Sequence, residues 1–281
     1  MSWHRPAGTL AAAPDPVSLS PEDAEWKYSG LHVLAMAPGE RRLFRFESEE
    51  VLVVPLSGSY RVESGPLTTD LAGRKDVFGD LTDRVYLGRD VAFELESTTG
   101  GEVAIATARA DTGGQAMYLE AESPPVELRG GGQASRQING LLPADVAGPE
   151  RLIVVAALTP AGNWSSFPPH KHDEWGGDEV PLEEIYYFRI DGEEGFGFHR
   201  TYTADSAFDE TVTVRDGDVY LIPRGYHGPC VAPPGYDMYY LNVMAGPERA
   251  WRICTDPAHA WITAELESTP IDPRLPVRRS V

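Results

Sequence analysis

Three histidines and a glutamate pair in the second half of the chain have the types and spacing of a metal-binding set. His170-Lys171-His172 alternates, so on a strand both imidazoles point to one face. Pro168 and Pro169 lead into it and remove backbone donors, as at a strand start or edge. Glu183 and Glu184 open the apolar run 185–190. Gly217, Pro223, Gly225 and His227 then describe a strand ending in a tight turn that re-aims the chain before a histidine. Three imidazoles and one carboxylate form a borderline ligand set, suited to Mn, Fe, Co, Ni or Zn. No thiolate belongs to it, which argues against a closed structural zinc site. The expectation is one divalent ion held by His170, His172, Glu184 and His227. His4, His32 and His259 read as structural or exposed, and Cys230 and Cys254 as reduced thiols.

Strands must position these ligands. Glycine (28) and proline (24) punctuate all 281 residues. Strand-like runs recur at 43–46, 51–56, 85–87, 103–107, 152–158, 185–190, 196–202, 211–214, 219–222 and 238–244. Helical periodicity is confined to short candidates at 21–26 and 256–265. Many short strands without intervening helices predict an all-β sandwich or barrel. Hydrophobic content of 42% supports a real core. A net charge of −19 argues against nucleic acid and against an anionic membrane surface as partners. No leader-like segment and no apolar run near ~18 residues is seen, so an intracellular, cytoplasmic location is expected.

An internal repeat supports two lobes. Glu49-Glu50 followed by an apolar strand and Gly58 matches Glu183-Glu184, its strand and Gly192, at an offset of 134 (184 − 50). Val85-Tyr86-Leu87 matches Val219-Tyr220-Leu221 at the same offset. The division expected is 1–135 for a first lobe and 136–281 for a second. In this register His170, His172, Glu184 and His227 fall on Met36, Pro38, Glu50 and Phe93. The first lobe therefore lacks the ligand set and reads as structural.

The ligand pattern resembles the two-part cupin signature. His170-x-His172, Glu184 and Gly192 form its first part, and Gly217, Pro223, Gly225 and His227 its second, with Asn242 farther away than usual. The gap from His172 to the glutamate is long, so Glu183 or Glu184 could be the ligand; the repeat and the strand start favour Glu184. Phe167-Pro-Pro-His-Lys-His-Asp, Glu183-Glu-Ile-Tyr-Tyr, Gly195-Phe-Gly-Phe-His-Arg-Thr-Tyr-Thr and Val219-Tyr-Leu-Ile-Pro-Arg-Gly-Tyr-His227-Gly-Pro further resemble the 5-deoxy-glucuronate isomerase family of myo-inositol catabolism. That resemblance implies two jelly-roll (double-stranded β-helix) cupin lobes, a metal in the second, and aldose–ketose isomerisation of a small uronic acid.

Such a reaction needs a Lewis acid, a proton-transfer group and a cation for the substrate carboxylate. The candidates for catalysis are Tyr240, His199 and Arg200. Those for substrate binding are Arg189, Arg224 and Tyr186, Tyr186 sharing strand parity with Glu184. Two other readings use the same sequence: an iron-dependent cupin dioxygenase, and a non-catalytic sugar-binding bicupin. Open sheet edges make a homo-oligomer one further expectation.

Overall fold

The structure is a computed structural model that describes residues 2–177 and 179–277. Four antiparallel sheets stack in layers. In the first half, a six-stranded sheet runs Met117–Leu119, Arg84–Leu87, Glu49–Pro55, Gly101–Arg109, Ser29–Met36 and Val17–Leu19. It faces a four-stranded sheet of Arg41–Arg45, Ala92–Ser97, Gly58–Ser64 and Leu67–Arg74. In the second half a seven-stranded sheet runs His4–Arg5, Val219–Ile222, Glu183–Ile190, Met238–Ala245, Ile153–Thr159, Arg136–Leu142 and Glu127–Arg129. Opposite it lie Asp209–Val214, Gly197–Tyr202, Tyr226–Val231, His170–Lys171 and Cys254–Thr255, with Trp164–Ser165 paired to Tyr226–Val231. This is the all-β, two-lobed cupin architecture. Two short strands from the front part of the chain, His4–Arg5 and Glu127–Arg129, complete the rear sheet.

The two large sheets lie back to back. Leu31, Val33, Leu52 and Val54 meet Ile185, Tyr187, Leu241 and Val243 in one central core. Met238–Ala245 and Ile153–Thr159 are consequently buried along their whole length. Their sequences read as nearly continuous apolar runs, interrupted by Asn242, because both faces are covered. The strand Arg41–Arg45, on an outer sheet, alternates exposed and half-buried residues instead. A second core fills the front lobe and a third, lined by Tyr186, Phe188, Tyr220 and Tyr240, fills the rear one.

Helix is sparse. Residues 256–265 yield a 3-10 turn at Ala260–Ile262 and the helix Thr263–Ser268. Residues 21–26 form turns rather than the short helix their spacing predicts. No helix among the described residues is long and apolar enough to cross a membrane.

The repeat is real in its pairing but differs in its faces. Leu52 pairs with Tyr86 and Tyr186 with Tyr220, as a constant offset requires. Yet Leu52 and Tyr86 point into the central core, whereas Tyr186 and Tyr220 point into the rear lobe. A one-residue slip in a strand exchanges its two faces. Glu50 is therefore not the spatial counterpart of Glu184. It is buried at the junction of the lobes, where it accepts hydrogen bonds from the Glu150, Arg151 and Leu152 amides at 2.9, 2.7 and 2.6 Å and from Tyr86 Oη at 2.7 Å.

Candidate metal centre

His170 and His227 are direct cross-strand partners on the outer sheet of the rear lobe. Glu184 reaches them from the facing sheet, on the second residue of Glu183–Ile190. His172 follows the short strand His170–Lys171. The nitrogens offered by His170, His172 and His227 all lie within 4.8 Å of one another, a cluster that could hold a metal ion. Glu184 Oε2 lies 2.9 Å from His172 Nε2 and 3.1 Å from His227 Nε2. Glu184, His172 and His227 are buried.

The surroundings orient the rings. His172 Nδ1 is 3.2 Å from Leu182 O, and His227 Nδ1 is 3.4 Å from Gly225 O. A proton on each Nδ1 satisfies those carbonyls and leaves both Nε2 atoms aimed at Glu184, the arrangement that fixes a metal-binding tautomer. His227 Nε2 is near Glu184 but too poorly aligned for a hydrogen bond, and among the described residues it has no partner. An orphaned buried ring nitrogen beside two further imidazoles and a carboxylate fits a divalent ion of borderline softness. Gly225 makes the turn before His227 with φ of +80°, and a Cβ there would meet Tyr202 O at 2.5 Å.

Electrostatics agree with this grouping. Burial opposes charge on Glu184, but the hydrogen bond from His172 and the charge of His172 and His227 outweigh it and hold the carboxyl well below its ordinary range. For His172, burial is outweighed by Glu184, and the pKa rises. For His170, burial and the two neighbouring imidazoles push the pKa well down, so the ring is neutral and able to donate a lone pair at neutral pH.

The glutamate pair divides its labour by strand parity. Glu184 faces inward, while Glu183 faces the front lobe and accepts the Lys27, Tyr28 and Ser29 amides at 2.8, 2.9 and 2.9 Å. Tyr186, Phe188 and Tyr240 line the interior beside the cluster. Tyr240 Oη is held at 2.9 Å by Ser165 Oγ and 3.2 Å by Ser166 Oγ. Sequence reasoning passed over both serines; the residues just before Pro168-Pro169 were the available signal. Asn242 lies on this face, and its Oδ1 has no hydrogen-bond partner among the described residues. His199 is fully buried one row farther along, across from Cys230, with its nitrogens 3.2 Å from Cys230 Sγ and 3.0 Å from Thr201 Oγ1. Burial pushes its pKa down to about 3.

The three arginines expected at the site are elsewhere. Arg189 has the opposite parity to Tyr186 and forms ion pairs with Glu102 of the front lobe and Asp216. Arg200 lies on the outer face of its strand, paired with Asp209 at 2.7 Å and stacked on Tyr202. Arg224 is exposed on the loop before His227. For Arg189 and Arg200, a side chain one residue away from an inward strand position points outward.

The same place in the front lobe is filled by carbon. Phe44 and Phe93 are cross-strand partners as His170 and His227 are. Their rings stack at 5.4 Å, and Phe46 stacks on both. Phe44 and Phe46, not Met36 and Pro38, thus stand where the rear lobe carries His170 and His172; Phe93 does stand for His227.

A family model described as KduI/IolB matches residues 7–262, nearly the whole two-lobed unit. The chain belongs to the KduI/IolB family. Relatives named 5-deoxy-glucuronate isomerase include that of Geobacillus kaustophilus, 40% identical over 256 residues with 88% of this chain and 90% of the relative covered. That of Bacillus subtilis strain 168 is 38% identical, with 85% and 89% covered. The KduI/IolB fold is also that of a crystal structure of an IolB-like protein from Salmonella typhimurium LT2. It has a TM-score of 0.84 and 32% identity, with 92% of this chain and 98% of that one covered. Oxalate decarboxylase of Lactobacillus farciminis shares the fold alone, with a TM-score of 0.60 and 12% identity over 90% of each chain.

Proposed function

We propose that this protein is a metal-dependent aldose–ketose isomerase that converts 5-deoxy-D-glucuronate to 5-dehydro-2-deoxy-D-gluconate in myo-inositol catabolism. The observation that carries the reading is the convergence of His170, His172, Glu184 and His227 in a chain whose curated relatives are named for this substrate. These four side chains would hold one divalent ion, leaving positions open for substrate. When bound, the ion supplies Lewis-acid polarisation of a carbonyl and its neighbouring hydroxyl.

The chain's own residues supply the rest. Leu182 O and Gly225 O hold the His172 and His227 rings in place. Burial keeps the hydroxyls of Tyr186 and Tyr240 protonated, their pKa values raised. Both therefore act as hydrogen-bond donors rather than as tyrosinate bases. Tyr240, with Ser165 and Ser166 on its oxygen, is positioned to pass a proton along a hydroxyl chain beside the cluster. His199 engages both ring nitrogens in holding Cys230 and Thr201, so its part is to fix the interior wall behind the site. The aromatic interior excludes water from a reactive intermediate. Residues 1–135, apart from the strands His4–Arg5 and Glu127–Arg129 that join the rear sheet, serve as a structural lobe and 136–281 as the catalytic one, in the cytoplasm.

Metal analysis combined with an anaerobic NMR assay on 5-deoxy-glucuronate tests the reading. Conversion to the ketose without oxygen is expected. A fully metal-loaded protein that leaves the aldose untouched would overturn it, and substrate-dependent oxygen uptake would favour a dioxygenase.

A further inference from the structure

Three arginines, Arg84 buried and Arg136 and Arg249 half-buried, differ in how their guanidinium groups are satisfied. Arg84 donates to the carbonyls of Leu141, Glu120, Ser123 and Gly140. Arg249 donates to Leu152, Ala144, Val146 and Pro143, at 2.5 to 2.8 Å. Both are saturated structural clips. Arg136 is not. It uses one nitrogen, Nη1, for two long contacts, to Ala134 O at 3.2 Å and Phe167 O at 3.4 Å. Its Nε and Nη2 make no hydrogen bond among the described residues, and no carboxylate there forms an ion pair with it.

Two acids line the same cavity as Arg136, Glu127 and the exposed Glu267. Glu127 is held in a bidentate pair by Arg129 at 2.7 and 2.8 Å. Burial, with Arg129 adding to it against the pull of Tyr240, lowers the Arg136 pKa. A half-buried guanidinium with two donors left over at a cavity is free to take an anionic ligand.

Its placement suits that ligand. Arg136 borders a cavity of about 530 Å³, between Phe167–Pro168 and the helix Thr263–Ser268. That volume is in the range of small-ligand sites. The carbonyl it touches, Phe167 O, belongs to the segment that delivers His170. Ile138, two residues on along the strand Arg136–Leu142 and so on the same face, packs against the rear core that holds Tyr186 and Tyr240.

We propose that Arg136 receives the carboxylate of the sugar acid, its free Nε and Nη2 forming a fork while the carbonyl end lies at His170, His172, Glu184 and His227. This rests on the isomerase reading above and adds the residue that makes the site select an acid. A guanidinium with two parallel free donors matches a carboxylate in geometry as well as charge.

The test compares 5-deoxy-glucuronate with its neutral carboxamide, using metal-loaded wild type, Arg136→Gln and Arg136→Lys. Wild type should prefer the acid in kcat/KM by roughly 10- to 100-fold, the effect expected for hydrogen bonds to a charged group. Arg136→Gln should lose most of that preference through KM, with a much smaller loss on the amide than on the acid, and retain its metal content. Arg136→Lys should fall between. A folded, metal-loaded Arg136→Gln enzyme that still prefers the acid as wild type does would overturn the proposal. Should the glutamine variant not fold, Arg136→Lys decides: equal losses on acid and amide overturn the proposal, and a loss confined to the acid supports it. A loaded wild type that turns over neither compound would instead mark failure of the isomerase reading itself.

Discussion

His170 faces His227 directly across an antiparallel ladder, with ring centroids 4.4 Å apart. Backbone pairing, rather than flexible loops, sets their separation, so this half of the ligand set is pre-positioned. The double substitution His170→Ala/His172→Ala should leave the fold intact and abolish both bound metal and turnover. Elemental analysis of the purified variant checks it. A chelator should lower the melting temperature of wild type and leave that of the variant unchanged, since only a native site that binds metal gains stability from it.

Glu50 and Glu184 should respond differently to the same change. Glu50→Gln weakens a buried carboxylate's bonds to three amides and a tyrosine at the lobe junction. A loss of about 2–3 kcal/mol in stability is expected, with metal stoichiometry preserved. Glu184→Gln should instead reduce metal affinity. Urea unfolding and metal analysis of both variants separate the two roles.

Phe93 fills the position that His227 holds in the rear lobe, and it is buried. Phe93→Ala should cost about 3–5 kcal/mol by opening a cavity in the front core. Metal content of the folded fraction should not change. Denaturant melts at several protein concentrations would also show whether the front lobe supports assembly.

His199 makes stability depend on pH in a defined direction. Its pKa is pushed down to about 3 in the folded protein, against an ordinary value of 6.5. Between these values the unfolded chain binds the extra proton, so stability rises with pH across the window and is lost as pH falls below 6.5. For the metal-free protein the contribution between pH 6.5 and pH 5 is about 2 kcal/mol. His199→Gln should flatten this part of the curve relative to wild type. Glu184 does not interfere, because its depressed pKa takes effect only below the ordinary carboxyl value of 4.5. Urea midpoints at pH 7 and pH 5 for the two proteins measure the difference.

Period-two patterning and turn residues in the amino-acid sequence were enough to predict the strands and to nominate His170, His172, Glu184 and His227, which the fold brings together, because those signals are local. Alternation put both histidines on one face, and a glycine with positive φ turned the chain at Gly225. Which face each strand presents to which layer is not local. The back-to-back packing of the large sheets turned Glu50 toward the junction, Arg189 toward Glu102, and Phe44 and Phe46 into the front-lobe place of the histidines. A slip of one residue between lobes leaves the similarity of the two strands visible in sequence and reverses their inward sides. Arg136 carries no sequence motif at all. Its unfilled donors arise only where Phe167, the cavity and a bidentate Glu127–Arg129 pair meet in space.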